Sequence, residues 1–157
     1  MNSDMWINGH YLGNHPYGYT PFYFYLTPYL NQSGENIISV RVRNEGKNSR
    51  WYSGSGIYRH VFLTVTNPVY IEQWGVYITT PNVSETSATI NLQTSVVNEG
   101  QNLQSLKLRT SILDAKNNIV AKTETAISPS TNQSITLSKP HLWSPESPYL
   151  YHAVSDI

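Results

Sequence analysis

Bond-breaking chemistry by side chains needs acids, bases or nucleophiles that converge on one atom. The ten acidic residues therefore come first: Asp4, Glu35, Glu45, Glu72, Glu85, Glu99, Asp114, Glu124, Glu146 and Asp156. Two carboxylates that share a bond in sugar-cleaving enzymes of the retaining type sit about 5–5.5 Å apart. Here most acids fall in turns or singly on polar strand faces, and no two share an aromatic-lined strand at i and i+2. The sequence predicts no catalytic pair. The histidines His10, His15, His60, His141 and His152 lack metal-ligand spacing, and the nearest pair, His10 and His15, spans a turn, so no metal site is expected. Without cysteine, thiolate nucleophiles, thiolate metal sites and disulfides are excluded. There is no G-x-S-x-G elbow. The "GSG" at 54–56 precedes no helical pattern whose N-terminus could take a phosphate.

One stretch is left, "NSRWYSGSGIYRHVFL" at 48–63. Gly54 and Gly56 allow positive φ, so the chain can turn sharply there. Arg59 and His60 follow, and on a strand they would face opposite sides, one anchoring inward while the other meets a ligand. Trp51 and Tyr52 are either packing for a loop-to-strand entry or part of a pocket wall. On the residues alone, both readings stay open.

The elements that must position this stretch are strands. Of 157 residues, 39% are hydrophobic and 13% charged, the mark of a folded chain rather than a disordered one. Ten basic and ten acidic residues cancel, so nothing marks a nucleic-acid or anionic-membrane partner. No apolar run approaches the roughly 20 residues of a membrane helix. The start lacks the basic and apolar regions of a signal peptide. Cysteine-free composition suits a bacterial cytoplasm or periplasm without separating them. The apolar pattern repeats every second residue almost throughout. Asn8-Gly9 predicts a type I′ hairpin. "FYFYL" at 22–26 reads as a short strand between Pro21 and Pro28, "IISVRVRN" as a half-buried strand, and "VFLTV" at 61–65 as another. "VYIEQWGVYITT", "SATINLQTSVVN", "LKLRTSILD", "NIVAKTETAI" and "QSITLS" continue the series, separated by polar turns, as in a sandwich. Composition shifts at "TNP", residues 66–68, from aromatic and Gly-rich to Thr/Ser/Asn-rich. This predicts domains 1–65 and 66–157 and essentially no helix. The first block holds too few strands to close a sandwich, and the last strand finds no partner after it, so both ends read as cut.

Four pieces, in order, resemble glycoside hydrolase family 2, the family of β-galactosidases and β-glucuronidases. "RWYSGSGIYRHVFL" is similar to the last strand region of the family's sugar-binding domain. "DMWINGHYLGNHPYGYTPFYFYLTPYL" resembles its hairpin, loop and "DLT-x-x-L" strand, with Tyr25 where Asp is usual. "GENIISVRVRNE" resembles the next strand, and "HLWSPESPYLY" the "LWSP-x-x-PYLY" motif late in its second domain.

The resemblance implies an all-β chain, a partial jelly-roll β-sandwich followed by an immunoglobulin-like β-sandwich lacking its last strand or strands. It also implies that the catalytic (β/α)₈ barrel lies elsewhere, so this chain alone is inactive. The residue after the Arg of "G-[I/L]-[Y/F]-R-x-V" can enter the sugar pocket in family members. Here it is His60, and with Arg59, Trp51 and Tyr52 it forms the substrate-binding set, Arg59 acting mainly as an anchor. Well-known β-galactosidases place Asp there and use it to hold sodium. His60 is a poor sodium ligand, so no metal and no organic cofactor is carried over. Pro145 and Pro148 should fix the late motif, with Trp143 and Tyr149 packing. The expected partner is a carbohydrate substrate of the parent enzyme, and open sheet edges predict self-association. A free-standing carbohydrate-binding module stacking sugars on Trp6, Trp51, Tyr52 and Tyr58 is the alternative. A purely structural adhesion-type module leaves the Trp51–His60 cluster without a task.

Overall fold

Asn8 and Gly9 turn the chain with φ of 50° and 83°, both left-handed, as a type I′ hairpin requires. The computed structural model describes residues 2–45, 54–100 and 105–157. The described residues form two compact units, Met1–Leu63 and Thr64–Ile157. In the first, the turn joins β1 (Asn2–Ile7) to β2 (His10–His15), and β3 (Ile38–Arg43) pairs antiparallel along the other edge of β1. Sheet order is β2-β1-β3. Met5 and Ile7 bury one face of the central strand, as period-two alternation directs.

Two predicted strands are absent. Residues 21–26 form no strand and lead into a single 3-10 turn, Thr27–Tyr29. Prolines bracket the stretch, and its rings pack instead of pairing. Phe22 stacks on His15 at 4.3 Å between ring centroids. Phe24 lies against Gly13, where an added Cβ would sit 2.8 Å from the ring. Residues 61–65 also form no strand, and Phe62 is 82% exposed. An apolar alternation sets which face a strand would bury, but without a neighbouring ladder no strand forms.

The second unit contains β4 (Val69–Val83), β5 (Ser87–Asn98), β6 (Lys107–Leu113), β7 (Ile119–Ala126), β8 (Ser130–Ser138) and β9 (His152–Asp156). They make two antiparallel sheets, β4-β5-β8 and β7-β6-β9. Ile90 and Leu92 of β5, Ile135 and Leu137 of β8 and Ile112 of β6 form one buried cluster, with Ala121 and Tyr151 packed on it. The two sheets therefore share a core, and their outward faces are mostly polar, with Tyr77 and Val154 exposed among them. Between β8 and β9 the late motif forms a Ser144–Ser147 turn. Tyr149 stacks on His141 at 4.3 Å and 8°, and its hydroxyl accepts from the Ala115 N–H. Trp143 departs from the expected packing, because it is 59% exposed.

Candidate functional site

Of the predicted site, Arg59 and His60 are described, whereas Trp51 and Tyr52 lie outside the described residues. Residues 57–63 belong to no strand and bend at Arg59, so Arg59 and His60 do not sit on opposite faces of a strand as expected. Both are exposed. Gly56 at φ +147° takes the chain into this segment through a conformation that favours glycine. Tyr58 then fixes it, donating its hydroxyl hydrogen to the Gly18 carbonyl at 2.7 Å. The Tyr58 ring meets Tyr19 edge-on at 6.4 Å, and Tyr19 leans on Tyr17 at 5.5 Å. Two segments roughly forty residues apart in sequence are thereby joined through three tyrosines. The Arg59 guanidinium carbon lies 5.2 Å from the centre of the Tyr58 ring, a cation–π contact. His60 tilts toward Phe62 at 5.8 Å. Among the described residues neither Arg59 nor His60 has a hydrogen-bond or ion-pair partner, so both polar ends are available to a ligand.

What this arrangement can do is bind. An imidazole offers one donor and one acceptor, and a guanidinium offers donors only. Among the described residues no group of three or more His, Cys, Asp or Glu could hold a metal ion. The stacking surfaces of the alternative reading are partly occupied. Arg41 lies over the Trp6 ring at 5.3 Å, as Arg59 lies over Tyr58.

One acid differs from the solvated acids expected. Asp4 is only 3% exposed, on β1. Its carboxylate accepts from Arg41 Nε at 3.2 Å and Nη2 at 2.7 Å, from Arg43 Nη2 at 2.9 Å and from Asn14 Nδ2 at 2.9 Å. The Tyr11 hydroxyl adds a longer bond at 3.3 Å. Bonding to Arg41, then to Asn14, holds its carboxyl well below the usual carboxylate range, with burial opposing and Arg43 assisting. Such an acid stays ionised and cannot deliver a proton near neutrality. Its role is to tie β1, β2 and β3 together. The signal was legible: Arg41 and Arg43 share a face at i and i+2, opposite a lone Asp in the "SDMWI" strand.

Comparison with known proteins follows the same direction. The model of the family "Glycosyl hydrolases family 2" matches residues 69–157. The chain is 42% identical over 164 residues to "Beta-galactosidase BoGH2A" of Bacteroides ovatus, covering all of this chain and 19% of that protein. It is 32% identical over 182 residues to a "Beta-glucuronidase" of Formosa agariphila, covering 99% of the chain and 19% of that protein. Among solved structures, a family 2 glycosyl hydrolase from Bacteroides cellulosilyticus superposes with a TM-score of 0.88 at 42% identity, over 99% of this chain and 21% of that one. The β-glucuronidase of Bacteroides uniformis follows at TM-score 0.81 and 28% identity, over 97% of this chain and 20% of that one. The chain thus spans about a fifth of the length of the relatives it matches.

Proposed function

The chain belongs to glycosyl hydrolase family 2, and on that footing we propose that it is a non-catalytic portion of a retaining exo-β-glycosidase acting foremost on terminal β-galactosides, with β-glucuronides as the second substrate class. The observation that carries this reading is the match, along the whole chain at 42% identity, to a Bacteroides β-galactosidase. In this reading residues 1–65 are the end of a jelly-roll sugar-binding domain and residues 66–157 an immunoglobulin-like sandwich. The shared core between the two sheets of the second unit supports the latter. Two glutamates outside residues 1–157 would make and break the glycosyl-enzyme intermediate. The first unit contributes one wall of the sugar pocket. His60 hydrogen-bonds a sugar hydroxyl with its imidazole, Arg59 stacks on Tyr58, which the Gly18 carbonyl holds, and Trp51 and Tyr52, outside the described residues, belong to the same proposed substrate-binding set.

The test is hydrolysis of chromogenic β-galactoside and β-glucuronide by this chain and by the gene product extended through the catalytic region. Only the extended protein should turn over. His60→Ala in it should lower kcat/KM about fivefold, the worth of one neutral hydrogen bond. A silent His60→Ala returns the segment to a structural turn, and turnover by the 157 residues alone overturns the non-catalytic assignment. The exposed Tyr17–Tyr19–Tyr58 cluster favours, second, a free-standing carbohydrate-binding module. That reading requires the short chain to bind sugar and to lose the binding in Tyr58→Ala.

A further inference from the structure

The outward face of the β4-β5-β8 sheet is not a plain solvated surface. A shallow, open groove of about 390 Å³ crosses all three strands. Strand pairing arranges its polar side chains in two rows. Tyr77 is opposite Gln93 and Gln93 opposite Asn132; two residues along, Thr79 is opposite Asn91 and Asn91 opposite Ser134. The rows are spaced by the sheet itself, about 4.8 Å from strand to strand and nearly 7 Å from row to row. The alternate residues of the same strands, Leu92 and Ile135 among them, are buried in the core, so packed side chains back the platform beneath the groove.

Three features point to what it holds. No carboxylate, amine, guanidinium or imidazole lines the groove, so a charged ligand would lose its hydration there without a counter-charge. Its hydrogen-bonding capacity is only partly used. Ser134 Oγ donates to Asn91 Oδ1 at 2.9 Å and Gln93 Nε2 to Ser130 Oγ at 3.0 Å. This leaves the Asn91 amide N–H groups and the Gln93 amide oxygen available. Among the described residues the Asn132 amide and the Tyr77 and Thr79 hydroxyls have no partner. Side-chain amides pair a donor with an acceptor a short distance apart, the spacing offered by neighbouring hydroxyls on a sugar ring. Finally, the register of β4 on β5 shifts on both sides of these residues, irregularly between Ile71 and Val76 and by one residue, as in a bulge, between Thr79 and Asn82. Bulges twist a strand and re-aim its side chains, and they recur beside functional sites.

We propose that this groove is a saccharide-binding site for a segment of neutral glycan, held by the Gln93, Asn132 and Asn91 amides with the Tyr77 ring against a sugar face. The choice of a sugar leans on membership of a glycosidase family, but not on the role given to His60. The groove would retain polymeric substrate on the enzyme without entering the chemistry.

Affinity electrophoresis of the chain tests it, in gels holding soluble neutral β-galactan, neutral β-glucan or polygalacturonate. Neutral glycan should retard the chain and polygalacturonate should not. Asn132→Ala and Tyr77→Ala should each weaken retardation about fivefold, one neutral hydrogen bond or sugar contact, while Lys116→Ala, in the exposed turn between β6 and β7, leaves it unchanged. These side chains are exposed, so the variants should keep the wild-type circular dichroism; Thr79→Val replaces either one that does not. Absence of retardation overturns the proposal, as does equal retardation by the polyuronate or retardation indifferent to these variants. Retardation abolished by His60→Ala alone overturns it too and assigns the binding to the first unit. No hydrolysis is read, so failure here is separate from failure of the proposed activity.

Discussion

Gln133 is the most informative residue to perturb in the second unit. It lies on β8 at 6% exposure, yet its amide bonds to β6 of the other sheet. Nε2 donates to the Leu108 carbonyl at 3.0 Å, and Oε1 accepts from Thr110 Oγ1 at 2.6 Å. Thr110 is fully buried and also reaches Ser155 on β9 at 2.8 Å. One amide therefore joins the two sheets through a core that also buries Thr94, Thr110 and Thr131. Gln133→Met keeps the length and removes both bonds, leaving the Leu108 carbonyl without this donor. An orphaned buried polar group costs about 1–3 kcal/mol. Taking about 2 kcal/mol, a domain of this size should melt roughly 8–16 °C lower. Thr110→Val should cost about 1 kcal/mol. Because the two share a bond, the double variant should cost less than the sum by about 1 kcal/mol. Urea unfolding followed by circular dichroism, with unchanged m-values, measures all three. Strict additivity, or a Gln133→Met loss under about 0.5 kcal/mol, would refute the inter-sheet bridge.

Thr94 is fully buried and its Oγ1 has no hydrogen-bond partner among the described residues. Thr94→Val should therefore stabilise the chain by about 1 kcal/mol; a loss in the same urea experiment would show that a partner exists. Asp4 is depressed in the folded state, so its contribution is complete above the unfolded carboxylate pKa of about 3.9 and is lost as pH falls below it. Acid titration followed by the amide NMR signals of Asn2–Ile7 should show the sheet weakening on that limb. Asp4→Asn should flatten the limb, and an identical acid profile in that variant contradicts the ion cluster's role. The exposed, unpaired Val61, Phe62 and Leu63 and the open sheet edges should make the chain self-associate as concentration rises. A constant monomer mass by light scattering would refute this.

Local patterns were readable and neighbours were not. "SATINLQTSVVN" forms β5 from first residue to last, with Ala88, Ile90, Leu92, Thr94 and Val96 inward as alternation requires. Asn8-Gly9 specifies its own turn, because its positive φ values are a property of those two residues. "FYFYL" and "VFLTV" carry the same alternation and pair with nothing, since a ladder depends on a strand elsewhere in the chain. For Asp4 the sequence shows the acid and a matching pair of arginines, but its burial depends on partners 37 and 39 residues away. Gln133 was available in principle. It falls in step with Thr131, Ile135 and Leu137 on the inward face of β8, where a polar side chain must find a partner. The proposed groove is legible only once pairing registers are known, because its rows run across strands rather than along them.

The order of strands in the first unit also sets a timetable. β1 meets β2 across a two-residue turn, but its other partner, β3, ends 28 residues after β2, counting from His15 to Arg43. A hairpin closes in about 1–10 μs, whereas at roughly 5–20 residues per second a ribosome needs about 1.5–6 s to reach Arg43. For that interval β1 lacks β3, its antiparallel partner over Ile38–Arg43. Asp4 stands on the same strand, and until Arg41 and Arg43 are made it lacks its two arginine partners. An unpaired carboxylate on a waiting edge discourages premature strand pairing. The residue that locks the finished sheet therefore also guards the unfinished one.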